Sequence, residues 1–243
     1  SPRLSIVTQV RDDGTYFGPF RNREAADEAA LTLYDAFRLR RCTTRLSARK
    51  PSASCALAEM GRCVAPCELG DGAAQYPAIA QAVSSSWLGD VRPVLRSVRV
   101  RMRKLVAQER FEEAGTISDR LTAYYRTSLR FHRLRSLALC RQLVAAVPSA
   151  HGWDIHVIRY GKLAAATTAP SARARAAAEE AVATAETVLP PRGGLPAGSV
   201  EEAERIAAWL ELPGVRLIET DGEWAWPLHA GLPEGALAEA LRG

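Results

Sequence analysis

The sequence predicts an α+β fold that is mainly helical at its centre, with a cysteine-rich metal-binding segment and small β-hairpins at both ends. Three observations support this class. Apolar residues recur at helical spacing between residues 90 and 139, alternating apolar residues lie near both ends, and residues 39–70 show little periodicity of either kind. A chain of 243 residues has room for one large domain or two small ones.

The first region, residues 1–38, should be a β-hairpin followed by a helix. Residues 4–10 alternate apolar and polar side chains, an Asp-Asp-Gly turn signal follows, and residues 15–20 then predict the return strand. Asn22 is a good N-cap for a helix that should run to about Phe37.

The second region, residues 39–70, holds four of the five cysteines. Four converging thiolates suit either Zn²⁺ or an iron–sulfur cluster. Only the last two cysteines are as close in sequence as a typical zinc-binding pair, so the wider gaps favour a larger group such as a cubane cluster. Buried free thiols or adventitious disulfides are the alternative. The four candidate ligands are Cys42, Cys55, Cys63 and Cys67.

The arginines near these cysteines, Arg40, Arg41 and Arg62 among them, should lower the pKa of the thiols. The fifth cysteine, Cys140, lies in the apolar phase of its segment, which indicates a small core residue.

The third region, residues 71–139, should be helical. A helix at Ala74–Ser86 precedes two long helices, at about 90–109 and 111–139, which form a hairpin. Residues 92–141 carry thirteen basic and four acidic side chains, and some of the basic ones recur at helical spacing. A solvated face and a phosphate-contacting face both fit this pattern. The candidate nucleic-acid-binding residues are Arg40, Arg41, Arg45, Arg92, Arg96, Arg99, Arg103 and Lys104.

The fourth region, residues 140–243, should be a small α+β domain. A hairpin around Gly161, an Ala-rich helix at about 172–188 and a helix opened by the Ser199-x-x-Glu202 capping box are followed by a hairpin at 215–226.

The composition narrows the function classes. The formal net charge is +5 with a sequence pI of about 9.1, which is compatible with an anionic partner. No apolar run reaches the length of a membrane-spanning helix and no signal peptide is visible, so we expect a cytoplasmic, nucleoid-associated bacterial protein.

The motifs together resemble one family. The segments 16–20, 37–42 and 55–67 are similar to the region just after the GIY-YIG nuclease domain of the excinuclease UvrC. The helical hairpin at 102–125 resembles the UVR motif of that family. The Ala- and Arg-rich C-terminal part looks like bacterial fusions that join a polymerase III epsilon-type exonuclease to a UvrC-like half.

The resemblance implies a [4Fe-4S] cluster on the four cysteines, with zinc as the alternative. It also implies DNA as a ligand, a GIY-YIG nuclease domain upstream of Ser1, and the repair protein UvrB as a partner. Although the family is one of DNA repair endonucleases, the GIY-YIG catalytic residues do not occur in this segment, and no catalytic residue is expected in it. The candidate partner-binding residues are Phe111, Glu112, Ala114, Asp119 and Leu121.

Three hypotheses follow. The first is a non-catalytic DNA-binding and structural region of a UvrC-like nuclease. The second is a protein-interaction module in which the hairpin docks on a repair partner such as UvrB and the cysteines hold a structural zinc. The third, a hydrolase within residues 140–243, has no motif in its favour.

Overall fold

The computed structural model describes residues 1–11 and 14–225. Within these residues the chain forms seven α-helices and four β-strands, which confirms the α+β class. The helices are α1 (Arg23–Ala36), α2 (Ala56–Glu59), α3 (Asp71–Leu88), α4 (Arg92–Ala107), α5 (Phe111–Leu139), α6 (Ala174–Thr184) and α7 (Val200–Leu210). The strands are β1 (Gln142–Ser149), β2 (Gly152–Arg159), β3 (Lys162–Ala169) and β4 (Arg216–Asp221).

The described residues divide into two compact units. Unit 1 contains those of Ser1–Gln9 and Phe20–Leu129, and unit 2 contains those of Val10–Pro19 and Arg130–Trp226. The division therefore falls inside α5 and inside the N-terminal segment. Among the described helices, none combines the length and the apolar character that crossing a bilayer requires.

Unit 1 is built around the packing of α1 on α4. The side chain of Asn22 accepts a hydrogen bond from the backbone N–H of Ala25 at 2.8 Å, so the predicted N-cap starts α1. Each helix buries residues spaced three or four apart, as an amphipathic helix does when one face meets a core. The buried residues are Ala26, Ala29 and Leu33 on α1 and Val94, Leu95 and Val98 on α4.

The two helices predicted for the hairpin are present and are joined by a short turn. Helix α4 ends at Ala107, α5 begins at Phe111, and Glu109 between them takes a left-handed conformation with φ of 59°. The backbone N–H of Arg110 donates to the carbonyl of Leu105 at 2.9 Å, which closes the last turn of α4 before the chain reverses.

Unit 2 is a four-stranded antiparallel sheet with strand order β3-β2-β1-β4. The predicted turn at Gly161 is confirmed: Tyr160 and Gly161 have φ of 51° and 77° and join β2 to β3. Two consecutive positive φ angles are those of a two-residue hairpin turn that matches the twist of the strands.

Both faces of β1 are buried. Leu143 and Ala145 pack in a cluster with α7, whereas Val144 and Ala146 pack in a second cluster with α6. Cys140 is 2% exposed in the first cluster, as its sequence environment predicted. The sheet thus forms the middle layer of unit 2.

The N-terminal β-hairpin is not formed in the described residues 1–11 and 14–22, so that prediction was wrong; its turn residues 12 and 13 lie outside the description. The carbonyls just before the predicted strands are bound by side chains. The Tyr76 hydroxyl donates to the carbonyl of Pro2 at 2.7 Å and the Arg40 guanidinium to that of Ser1 at 2.9 Å.

Two C-terminal predictions also needed correction. Strand β4 forms, but residues 223–225 are not its return strand, because β4 pairs with the unpredicted β1; Trp226 lies outside the described residues. Helix α6 is shorter than the predicted 172–188. It is preceded by a 3₁₀ turn, and the Arg159 guanidinium binds the carbonyls of Val182 and Ala185, each at 3.1 Å, near its C-terminal end.

Candidate metal centre and nucleic-acid interface

The four predicted ligand cysteines line one small cavity in unit 1, together with the side chains of Arg40 and Arg41. Its enclosed volume is about 20 Å³, which is room for about one water-sized sphere. Cys42 and Cys55 are exposed, whereas Cys63 and Cys67 are half-buried, and none of the four is in a disulfide. As the described side chains lie, no three His, Cys, Asp or Glu residues are grouped to hold a metal ion.

Short backbone hydrogen bonds bring the cysteines together. Cys55 immediately precedes α2, and the N–H of Cys63 donates to the carbonyl of Leu57 at 3.1 Å on the way out of that helix. The carbonyl of Cys67 accepts from the N–H of Ser52 at 3.0 Å, which closes the loop. A segment with few apolar residues is thus folded by local hydrogen bonds around its sulfur atoms.

One close backbone approach holds this loop against α3. A Cβ atom added at Gly72 would lie 1.6 Å from the carbonyl oxygen of Val64, which lies between Cys63 and Cys67 in the sequence. Ala65, the next residue, takes a left-handed conformation with φ of 49°, which a non-glycine residue adopts at a cost of about 1–2 kcal/mol. The loop between Cys63 and Cys67 is therefore tightly constrained.

Arg40 braces the loop from inside the unit. It is 6% exposed, and its guanidinium donates to the carbonyls of Cys42, at 2.9 Å, and of Thr44. Its own N–H donates to the hydroxyl of Tyr76 at 3.2 Å. The sequence predicted that Arg40 binds nucleic acid. In the structure its guanidinium instead binds carbonyls of the cysteine loop and stabilises that loop.

The pKa of one thiol in the cavity, that of Cys63, is raised. Burial is the main cause, the backbone hydrogen bond of Ala65 partly offsets it, and the neighbouring Cys55, Cys42 and Cys67 raise the pKa further. The expectation that nearby arginines would lower the pKa was wrong for Cys63, because burial and the other thiols dominate its surroundings. If all four groups were ionised as metal ligands, their charges would repel one another, and a shared cation would offset that repulsion.

The basic face of α4 points outward. Arg96, Arg103 and Lys104 are exposed and Arg99 is half-buried, on the side of the helix opposite Val98. Arg92 is exposed too, but Asp90 binds its guanidinium at 2.8 Å. Of the other sequence-predicted residues, Arg45 is exposed on the cysteine loop and Arg41 lies beside the cavity.

Much of the positive charge counted in residues 92–141 is neutralised by acids from elsewhere in the sequence. Arg120 pairs with Glu28 at 2.7 Å, and within unit 2 Arg133 pairs with Glu211 at 2.6 Å. The count of basic residues along the sequence therefore overestimated the basic surface. The outward face of α4 keeps the larger share of the positive charge that remains.

The candidate partner-binding residues separate into two groups. Phe111 is 62% exposed at the start of α5, and Glu112 and Asp119 are also exposed. Ala114 and Leu121 are buried in unit 1. An incoming protein can touch the first group directly.

Sequence reasoning missed Asp35. Its carboxylate is 5% exposed, near the C-terminal end of α1, and it binds two guanidinium groups. A single acid between Tyr34 and Ala36 gives no sequence signal, since only folding brings Arg62 and Arg101 to it.

Comparison with known proteins places the chain among relatives of one kind. Residues 1–86 match the family described as UvrC/Cho excinuclease, middle domain. The chain is 37% identical over 127 residues to the UvrABC system protein C of Nitratidesulfovibrio vulgaris, covering 52% of this chain and 18% of that protein. Over 123 residues it is 34% identical to the UvrABC system protein C of Geobacter metallireducens, covering 50% of this chain and 20% of that protein.

The similarity to another relative extends over the whole sequence. A Mycobacterium tuberculosis protein described as a bifunctional exonuclease/endonuclease is 32% identical over 249 residues, which cover 99% of this chain. The chain spans only 38% of that protein's length. No solved structure matches the chain.

Proposed function

Residues 1–86 of this chain belong to the UvrC/Cho excinuclease middle-domain family and the chain is UvrC-like, and on that premise we propose that it is a non-catalytic region of a DNA repair nuclease. In this proposal it carries a four-cysteine iron–sulfur centre and holds DNA for a nuclease domain encoded elsewhere in the polypeptide. The observation that carries the proposal is the cavity lined by all four cysteines in the unit that also presents the basic face of α4.

Cys42, Cys55, Cys63 and Cys67 are the residues that would hold the centre. Thiolates are the ligands that iron–sulfur clusters use, and a bound centre would supply a rigid link between four points of a loop with few apolar residues. Cys42 and Cys55 are exposed, so a centre held by the four thiolates would lie at the surface of unit 1.

Zinc is the alternative occupant, and the small cavity volume favours it, because about 20 Å³ suits one ion better than a cubane. Freshly isolated chain, purified without oxygen, distinguishes the two. The cluster predicts absorbance near 400 nm with iron and acid-labile sulfide in equal amounts. Zinc at one ion per chain with neither iron nor sulfide would replace the cluster with a structural zinc site.

The DNA-holding role rests on the outward face of α4. Replacing Arg96, Arg99 and Arg103 together by Gln should weaken binding to a duplex and reduce its salt dependence, because each lost phosphate contact lowers the slope of log K against log salt by about 0.9. Arg175→Gln is a control for the loss of one exposed charge elsewhere, since that side chain is 94% exposed on α6 of unit 2. Unchanged affinity in the triple variant would remove α4 as the interface.

A protein-interaction role is the second candidate function, because the hairpin exposes two apolar residues close together in sequence. Phe111 is 62% exposed and Val106 is 48% exposed, on either side of the turn. UvrB is the partner to test. Phe111→Ala should abolish capture of purified UvrB and leave DNA affinity unchanged, whereas equal capture by both chains would argue against docking through this hairpin.

A further inference from the structure

A second group of basic residues surrounds the C-terminal end of α1, away from the outward face of α4. The Asp35 carboxylate lies 3.0 Å from Nη2 of Arg62 and 2.7 Å from Nη1 of Arg101, and the same oxygen, Oδ1, accepts from both. Beside it, the guanidinium carbon of Arg41 lies 4.3 Å from the centre of the Tyr34 ring. Three separate segments therefore bring their arginines to two consecutive residues of one helix.

The group carries an excess of positive charge. One carboxylate is shared by the guanidinium groups of Arg62 and Arg101, so it balances only one of their two positive charges. Arg62 and Arg101 keep 28% and 32% of their side chains exposed, so a ligand can reach them from solvent. Folding thus brings like charges close together, and an anion bound between them would offset their repulsion.

We propose that Arg41, Arg62 and Arg101 form a phosphate-binding site for the backbone of a nucleic acid, and that Asp35 and Tyr34 position them. The planar guanidinium group is the side chain best suited to bind phosphate through two parallel hydrogen bonds. The proposal rests on the proposed DNA-holding function and adds a contact site to it.

The shape of the site favours a polymer over a small molecule. Small ligands bind in enclosed pockets that bury most of their surface. The three arginines instead present partly exposed groups at the surface of unit 1, as proteins do where they follow a phosphate backbone.

The proposed site is separate from the outward basic face, because Arg101 lies on a different side of α4. Arg101 follows Val94 by seven residues and Val98 by three, so it shares their side of the helix and faces α1. Arg96, Arg99 and Arg103 lie on the other side. Variants of the two groups can therefore be told apart by experiment.

The first test measures the affinity of the metal-loaded chain for a fluorescein-labelled duplex by anisotropy over a range of NaCl concentrations. Arg41→Gln, Arg62→Gln and Arg101→Gln should each weaken binding several-fold at low salt and lower the salt slope by about 0.9. Arg175→Gln, a single charge removed from unit 2, should leave both values unchanged.

The second test separates positioning from charge. Asp35→Asn removes a negative charge yet should weaken DNA binding, because Arg62 and Arg101 lose the acceptor that holds them. Asp27→Asn makes the same charge change on the same helix at a side chain that is 53% exposed, and it should bind DNA at least as tightly as the parent chain. Tighter binding by Asp35→Asn would overturn the positioning role.

Further outcomes separate this site from the proposed function and from a site for free phosphate. If Asp35→Asn does not fold, as judged by circular dichroism, Arg101→Gln decides alone through its salt slope. Loss of binding in the α4 triple variant with no change in the three single variants would overturn this site and leave the proposed function standing, whereas no binding by the parent chain would end both. If inorganic phosphate raises the melting temperature only when Arg101 is present, and Arg101→Gln leaves DNA binding unchanged, the site takes free phosphate and the backbone assignment is wrong.

Discussion

A buried histidine in unit 2 links stability to pH. His132 is 2% exposed, and among the described residues its Nε2 has no hydrogen-bond partner. Burial, and after it the charge of Arg135, lowers the pKa of His132 to about 4. The imidazole is therefore neutral in the folded chain at pH 7.

This low pKa predicts acid sensitivity. In the unfolded chain the imidazole takes up a proton as the pH falls below about 6.5, whereas in the folded chain it does so only near 4. The stabilisation is complete above the unfolded pKa and is lost as the pH falls between these values. Unit 2 should lose about 2 kcal/mol between pH 7 and pH 5. Urea unfolding of the parent and of His132→Gln checks this, since equal losses in both would show that His132 is not responsible.

Two helical glycines, one in α5 and one in α3, differ in the space that is available for a side chain. A Cβ atom at Gly115 in α5 meets nothing within 4 Å, whereas one at Gly72 in α3 collides with the backbone of Val64. Gly115→Ala should raise the free energy of unfolding by about 1 kcal/mol, because alanine is the better helix former. Gly72→Ala should lower it by about 1–3 kcal/mol and loosen the cysteine loop. Chemical denaturation of both variants tests the contrast, and it fails if both change stability in the same direction.

The elements that the sequence predicted best are those with local signals. The capping residue Asn22, the turn at Gly161 and the capping box at Ser199 each act within a few residues, and each begins or joins the expected element. The spacing of apolar residues in α4 and α5 was equally informative, because an amphipathic helix needs only one neighbouring core.

The elements that the sequence missed depend on distant partners. Strand β1 has apolar residues in succession from Leu143 to Ala146, because helices cover both faces of the sheet, so it lacks the alternation of a half-exposed strand. The N-terminal segment alternates, but its described residues form no strand. The candidate site shows the same contrast between local and distant signals. The four cysteines were noticed because they cluster in the sequence, whereas the contacts of Asp35 join distant residues and gave no signal.

At the scale of the whole molecule, the two units should respond differently to removal of the proposed metal centre. Unit 1 holds the cysteine loop, whereas the sheet of unit 2 is stabilised by two apolar clusters of its own. Chelation should speed amide hydrogen exchange in residues 39–70 and leave strands β1 to β3 as protected as before. Faster exchange in the sheet as well would mean that both units depend on the centre.

The central claim is that four cysteines of one loop hold a single metal centre. The most direct measurement is the metal bound per chain in anaerobically isolated protein, for single replacements of Cys42, Cys55, Cys63 and Cys67 by Ala, with Cys140→Ala as the control. Each of the four variants should lose most of its metal and the control should keep it, because Cys140 is buried in the core of unit 2. A parent chain without metal, or full metal in any of the four variants, would contradict the account.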